Sequence, residues 1–124
     1  MLDIQAGGVL LVEPLDGRDL LKWALEENGF EVDVASDGES ALAMAETRAP
    51  AVVVADIILP GMDGWELACR LRRAHGAAMR LVALTSLADP EDRARSAAAG
   101  FNVHLVKPIR PGKVKDAIRH LLAA

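Results

Sequence analysis

The sequence predicts a doubly wound α/β fold: a five-stranded parallel sheet with five helices. Short apolar runs without polar alternation recur along the chain, which is how strands read when both faces of a sheet are covered. After each run comes a segment with apolar residues at helical spacing, usually closed by Gly or Pro. Strands that alternate with helices demand parallel pairing and right-handed crossovers, and 124 residues suffice for one such domain.

The elements follow in order. Val9 to Val12 is the first strand, and Leu21, Ala24 and Leu25 mark a helix that Gly29 stops. Val32 to Ala35 is a short second strand, followed by a helix on Ala41, Leu42 and Ala45 that ends before Pro50. Ala51 to Ala55 is the third strand; a loop rich in Pro and Gly leads to a helix from about Gly64 to Ala74. Leu81 to Leu84 is the fourth strand. Asp89 and Pro90 then form a strong helix start, as cap and first helical residue, and Gly100 ends that helix. Val103 to Val106 is the fifth strand, and Val114, Ala117, Ile118, Leu121 and Leu122 give a final amphipathic helix. Residues 1–8 read as an N-terminal lead-in and residues 9–124 as the domain.

Composition excludes several classes. The chain is 52% hydrophobic and 26% charged, which argues against disorder. A net charge of −4 lacks the basic surplus of a nucleic-acid binder, so no nucleic-acid partner is expected. No apolar run approaches the about 18 residues of a membrane span, and no basic-then-apolar leader opens the chain, so no membrane partner and a cytoplasmic location are expected. The single Cys69 has no partner for an intrachain disulfide and reads as a small packed residue. No G-x-G-x-x-G or Walker pattern follows any strand.

In an open parallel sheet, ligands bind beyond the carboxyl ends of the strands, near the reversal of strand order. Those ends read Glu13, Asp56, Thr85 with Ser86, and Lys107. Two carboxylates, a hydroxyl pair and an ammonium suit the making and holding of an acyl phosphate: a nucleophile, a metal-binding acid, and groups that bind phosphoryl oxygens. Mg²⁺ suits such a site because it prefers oxygen ligands and is commonly held by one or two carboxylates with phosphate and waters.

The stretch Asp56-Ile57-Ile58-Leu59-Pro60-Gly61-Met62-Asp63-Gly64-Trp65-Glu66 resembles the signature around the phosphorylated aspartate of response regulator receiver domains. Leu84-Thr85-Ser86 and Lys107-Pro108 stand where that family of two-component signalling carries its switch hydroxyl and its lysine. The resemblance spans Val9 to Leu122. It implies the flavodoxin-like strand order 2-1-3-4-5 and a cis Lys107–Pro108 bond. It further implies that Asp56 is the acceptor, that Thr85 and Lys107 hold the phosphoryl group, and that Glu13, Asp56 and the Ile58 backbone carbonyl hold Mg²⁺. Thr85 and His104 are the implied switch pair, although relatives commonly place an aromatic at the second position. The implied partners are a histidine kinase or histidine phosphotransfer domain and a downstream protein bound through helix four, strand five and helix five. Such a domain is a phospho-acceptor and not an enzyme in its own right; a stand-alone regulator and the receiver of a hybrid histidine kinase both fit.

One departure stands out. Relatives usually carry two adjacent acids after the first strand, and here Glu13 is followed by Pro14. Either Glu13, one methylene longer than Asp, reaches the metal, or Asp16 contributes from the loop; Asp16 reads first as a helix cap. The alternative function is a pseudo-receiver, an interaction module whose metal site Pro14 has impaired. Of the other residues, His75 and His120 read as surface groups and, with His104, are too scattered for a metal site. Trp23 and Trp65 read as packing, Arg70, Arg72 and Arg73 as a solvated face, and Ser86 as a residue present for its small size.

Overall fold

The computed structural model describes residues 8–123, without the side chains of Leu15, Asp16 and Gly17. The expected lead-in up to residue 7 lies outside them. Gly8 lies just before the first strand, and its carbonyl accepts from Ala51 N–H at 2.9 Å. The elements are β1 (Val9–Val12), α1 (Leu15–Glu27), β2 (Val32–Ala35), α2 (Gly38–Thr47), β3 (Val52–Ala55), α3 (Gly64–His75), β4 (Arg80–Thr85), α4 (Pro90–Ala99), β5 (Val103–Val106) and α5 (Pro111–Ala123). They match the predicted segments to within a few residues at each end. All pairings are parallel, in the order β2-β1-β3-β4-β5.

Side chains alternate across each strand, so the sheet divides the interior into two apolar layers. Val9, Leu11, Val52, Val54, Val82 and Leu84 pack against Leu21 and Leu25 of α1 and Val114 and Ile118 of α5. On the other face Leu10, Val12, Val53, Ala55, Leu81 and Ala83 meet α2, α3 and α4 through Ala41, Ala45, Leu67, Ala68, Leu71 and Ala99. Burial on both faces explains why β1, β3 and β4 carry no polar alternation. Among the described residues no helix is long and apolar enough to cross a membrane.

Helical phase corrects three readings. The buried stripe of α3 runs through Gly64, Leu67, Ala68 and Leu71, which puts Cys69 on the outer side, where it is exposed and not packed. Trp23 likewise lies off the stripe of Leu21 and Leu25 and is 59% exposed. Pro14 occupies the N-cap position of α1, so Asp16 falls inside the first turn and not at the cap; its side chain, and with it the metal-ligand reading, lies outside the described residues. At α4 the expected start holds: Pro90 is the first helical residue, and Asp89 N–H donates to Asp92 Oδ2 at 3.3 Å.

Arg72 is also misread as part of a solvated face. Its guanidinium donates to the carbonyls of Gly76 at 2.8 Å, Met79 at 2.5 Å and Gly100, and to Asn102 Oδ1 at 3.2 Å. Asn102 Oδ1 in turn accepts from Leu81 N–H at 2.8 Å, so one side chain ties the end of α3, the turn into β4 and the link from α4 to β5. Arg72→Ala strips donors from three carbonyls, two of them in partly buried bonds, and should lower stability by about 2 kcal/mol in urea unfolding. A midpoint equal to the parent's would contradict this role.

Candidate functional site

The sheet order reverses between β1 and β3, and the groups expected at the strand ends gather there. Asp56 N–H donates to the Val12 carbonyl at 3.0 Å, and Glu13 N–H to the Ala35 carbonyl at 3.1 Å, so the backbones carrying both acids extend the ladder by one bond. Lys107 N–H donates to the Thr85 carbonyl at 2.9 Å, which fixes the end of β5 beside β4. The Lys107–Pro108 bond is cis, as the resemblance implied.

The loop after β3 is pinned by α3. A Cβ on Gly64 would lie 2.3 Å from the Asp56 carbonyl oxygen and 2.7 Å from Ile57 Cα, so only glycine lets the helix start against this loop. Gly64 N–H donates to the Ile57 carbonyl at 2.8 Å, and Asp63 caps the helix through Glu66 N–H at 2.9 Å. The Asp-Gly pair of the motif thus builds the floor under Asp56.

Lys107 Nζ donates to Glu13 Oε1 at 2.9 Å and to Asp56 Oδ2 at 3.0 Å. The other Asp56 oxygen accepts from Ile58 N–H at 3.1 Å. Glu13 and Asp56 are buried, and Thr85 has no exposed surface. Burial pushes the Glu13 carboxyl above its ordinary range, and the Asp56 charge adds to this, while the hydrogen bond and charge of Lys107 pull it back only in part. For Lys107, burial opposes the charge, but the hydrogen bonds and charges of Glu13 and Asp56 outweigh it and hold the ammonium above its usual range.

Glu13, Asp56 and Lys107 therefore form one bonded cluster, with Thr85 at the end of the adjacent strand. Thr85 Oγ1 accepts from Leu87 N–H at 3.3 Å. His104 stands apart from that cluster: its ring bonds Ser96 Oγ and the Leu87 carbonyl. Ser86 is exposed beside Glu13 and Lys107, and the Ile58 side chain is 56% exposed. The sequence reading missed Ser96 and Leu87. Ser96 is the one buried polar residue on α4, and a serine three residues from the end of an otherwise alanine-rich turn was the available signal.

The donor set fits a magnesium ion thinly. Among the described residues no group of three or more acids, histidines or cysteines is placed to hold a metal, and Pro14 supplies no carboxylate. Two carboxylates remain, those of Glu13 and Asp56. Glu13 Oε2 is buried without any hydrogen-bond partner, an unmet acceptor of the kind a cation would satisfy.

The arrangement is a Lys-bridged acid pair at the switch point of a 2-1-3-4-5 parallel sheet. A family model for the response regulator receiver domain matches residues 9–119, and the chain belongs to that family. It is 41% identical over 97 residues to an uncharacterized 14.6 kDa protein of Leptolyngbya boryana, covering 77% of this chain and 74% of that one. It is 34% identical over 103 residues to the alkaline phosphatase synthesis transcriptional regulatory protein PhoP of Bacillus subtilis, covering 83% of this chain and 42% of the regulator. The chain spans about half the length of the other transcriptional regulators it matches, for example 51% of TctD of Salmonella typhimurium. The receiver domain of the sensor histidine kinase PA1611 from Pseudomonas aeruginosa superposes with a TM-score of 0.85 at 26% identity, over 94% of this chain and 97% of that one. That structure has a magnesium ion coordinated in its active-site cleft.

Removing Lys107 deletes both influences that hold Glu13 down, so in Lys107→Met its carboxyl should climb further. A carboxyl raised in the folded state adds stability at acid pH and loses it as pH rises through the folded value. The variant should therefore fall behind the parent once pH rises past the parent's folded Glu13 value, which burial already sets above the ordinary glutamate range of about 4–5. At neutral pH the deficit should be about 1–2 kcal/mol, moderated because Lys107 is a third exposed. Thermal unfolding across pH measures it; a deficit independent of pH would contradict the account.

Proposed function

We propose that this chain is a phospho-acceptor: Asp56 takes a phosphoryl group from the phosphohistidine of a kinase or phosphotransfer domain and so switches the binding of a downstream protein. The observation that carries this reading is the placement of Lys107 within hydrogen-bond distance of both buried acids. One Asp56 oxygen attacks phosphorus as the histidine N–P bond breaks, and the acyl phosphate forms on the carboxylate. Asp56 is oriented for this by Ile58 N–H and Lys107. Lys107 then offers its charge to the phosphoryl oxygens, and Thr85 its hydroxyl. Glu13, Asp56 and the Ile58 carbonyl would hold Mg²⁺, which supplies charge neutralisation at the phosphoryl oxygens when bound. The chain assists its own phosphorylation and dephosphorylation without acting as an enzyme on other molecules, and it works in the cytoplasm.

An open apolar groove of about 590 Å³ borders Glu13 and Lys107, lined by Leu20, Leu21, Pro108, Ile109, Pro111 and Val114 among others. It offers a phosphohistidine-bearing partner an apolar seat beside the acceptor. The output face is α4, β5 and α5, where His104 lies.

Incubation with a small acyl or amido phosphate should label the protein in a Mg²⁺-dependent way, with the label lost in Asp56→Ala. No labelling at high Mg²⁺ would overturn the reading. A second reading, an interaction module with a crippled metal site, is favoured by one observation: Pro14 puts a ring where an acid would stand. If Pro14→Asp gains strong Mg²⁺ binding and fast labelling where the parent shows neither, that reading replaces the first.

A further inference from the structure

Thr85 is joined to the groove between α3 and α4 by a continuous run of hydrogen bonds. Thr85 Oγ1 accepts from Leu87 N–H at 3.3 Å, and the Leu87 carbonyl lies 2.7 Å from His104 Nε2. His104 Nδ1 lies 2.8 Å from Ser96 Oγ, which accepts from Trp65 Nε1 at 2.9 Å. Beyond it the Arg95 guanidinium stacks on the Trp65 ring, 4.0 Å from its centroid.

The chemistry of each group fixes the direction of the run. A carbonyl only accepts, so His104 Nε2 carries a proton. An indole N–H only donates, so the Ser96 oxygen accepts from Trp65 and, with a neutral ring, its hydroxyl proton goes to His104 Nδ1. The N–H and the C=O of one residue, Leu87, then serve the two switch positions: one bonds Thr85, the other His104. Ser96 has no exposed surface, so water cannot take over its bonds. A part-buried network of this kind, centred on buried Ser96, holds one arrangement until a member is pulled out of line.

We propose that Ser96 and Trp65 are positioning residues of the switch. They hold the His104 ring inward and carry the state of Thr85, through the Leu87 backbone, to the α3–α4 groove. There Trp65, Glu66, Cys69 and Arg95 border a pocket of about 400 Å³. The proposal rests on the phospho-acceptor reading for what moves Thr85 in the cell; the relay itself is present without phosphate and is tested without it.

Proton–nitrogen NMR on the full chain supplies the test. Long-range correlations in the wild type should show His104 as the Nε2–H tautomer; the Nδ1–H form would overturn the relay, and this measurement needs no variant. Thr85→Val keeps the shape of the side chain and removes its acceptor. It should shift the Trp65 indole N–H resonance, identified by its loss in Trp65→Phe, and leave that of Trp23 in place. In a Ser96→Ala background the same change should no longer reach Trp65. An unmoved Trp65 signal in Thr85→Val, or an equal shift with and without Ser96, would overturn the proposal. Acyl phosphate treatment separates the two readings. A chain that does not label but passes the Thr85→Val test supports the relay while sinking phosphorylation; a chain that labels with Trp65 unmoved keeps phosphorylation and sinks the relay.

Discussion

Two carboxylates lie buried at the carboxyl edge of this sheet, and one ammonium holds them there. Without Lys107, Glu13 and Asp56 would face each other as like charges in a site where water is scarce, and burial already pushes Glu13 toward its protonated form. The rest of the fold serves this contact. β1 and β3 are adjacent because the strand order reverses between them, so their last residues emerge side by side. The end of β5, two strands away, delivers Lys107 across β4, with a backbone bond to Thr85 fixing its approach. Gly64 then allows α3 to close against the Asp56 loop.

The same contact makes the site's chemistry and its weakness intelligible. An ammonium shared between two acids is a resident counter-ion; in the proposed function Glu13 and Asp56 would hold a divalent cation, which would supply charge neutralisation, and Lys107 would be left to bind phosphoryl oxygens. With Pro14 beside Glu13, a metal here would have two carboxylates to bind. The unmet Glu13 Oε2 is the part of the site that a cation stands to satisfy, and it leaves the acid pair more dependent on Lys107.

Much of this was legible in the sequence, for identifiable reasons. β1, β3 and β4 are covered on both faces, so their sequences are plain apolar runs, and the chain between them obeys helical spacing. Asp56, Thr85 and Lys107 were legible because a parallel sheet delivers its strand ends to one edge. The readings that failed concern side chains whose partners lie far along the chain. Arg72 looks like one of three surface arginines, yet it reaches Gly100, 28 residues away. Trp65 does pack against the core as read, but its bond to Ser96, 31 residues away, was not legible. Cys69 and Trp23 were assigned by residue type, and helical phase overruled that. Asp16 was taken for a cap because it suits one, but the helix begins earlier, at Leu15.

The central claim is that Glu13, Asp56 and Lys107 act as one unit, in which a cation and Lys107 compete for the same two carboxylates. A Mg²⁺ titration followed by the carboxyl carbon signals of Glu13 and Asp56 and the ε-carbon signals of Lys107 tests it most directly. All three should move together along one saturable curve as the lysine yields the acids to the metal. Carboxyl signals that stay in place at high Mg²⁺, or an Asp56 signal that moves while Glu13 and Lys107 do not, would contradict the account.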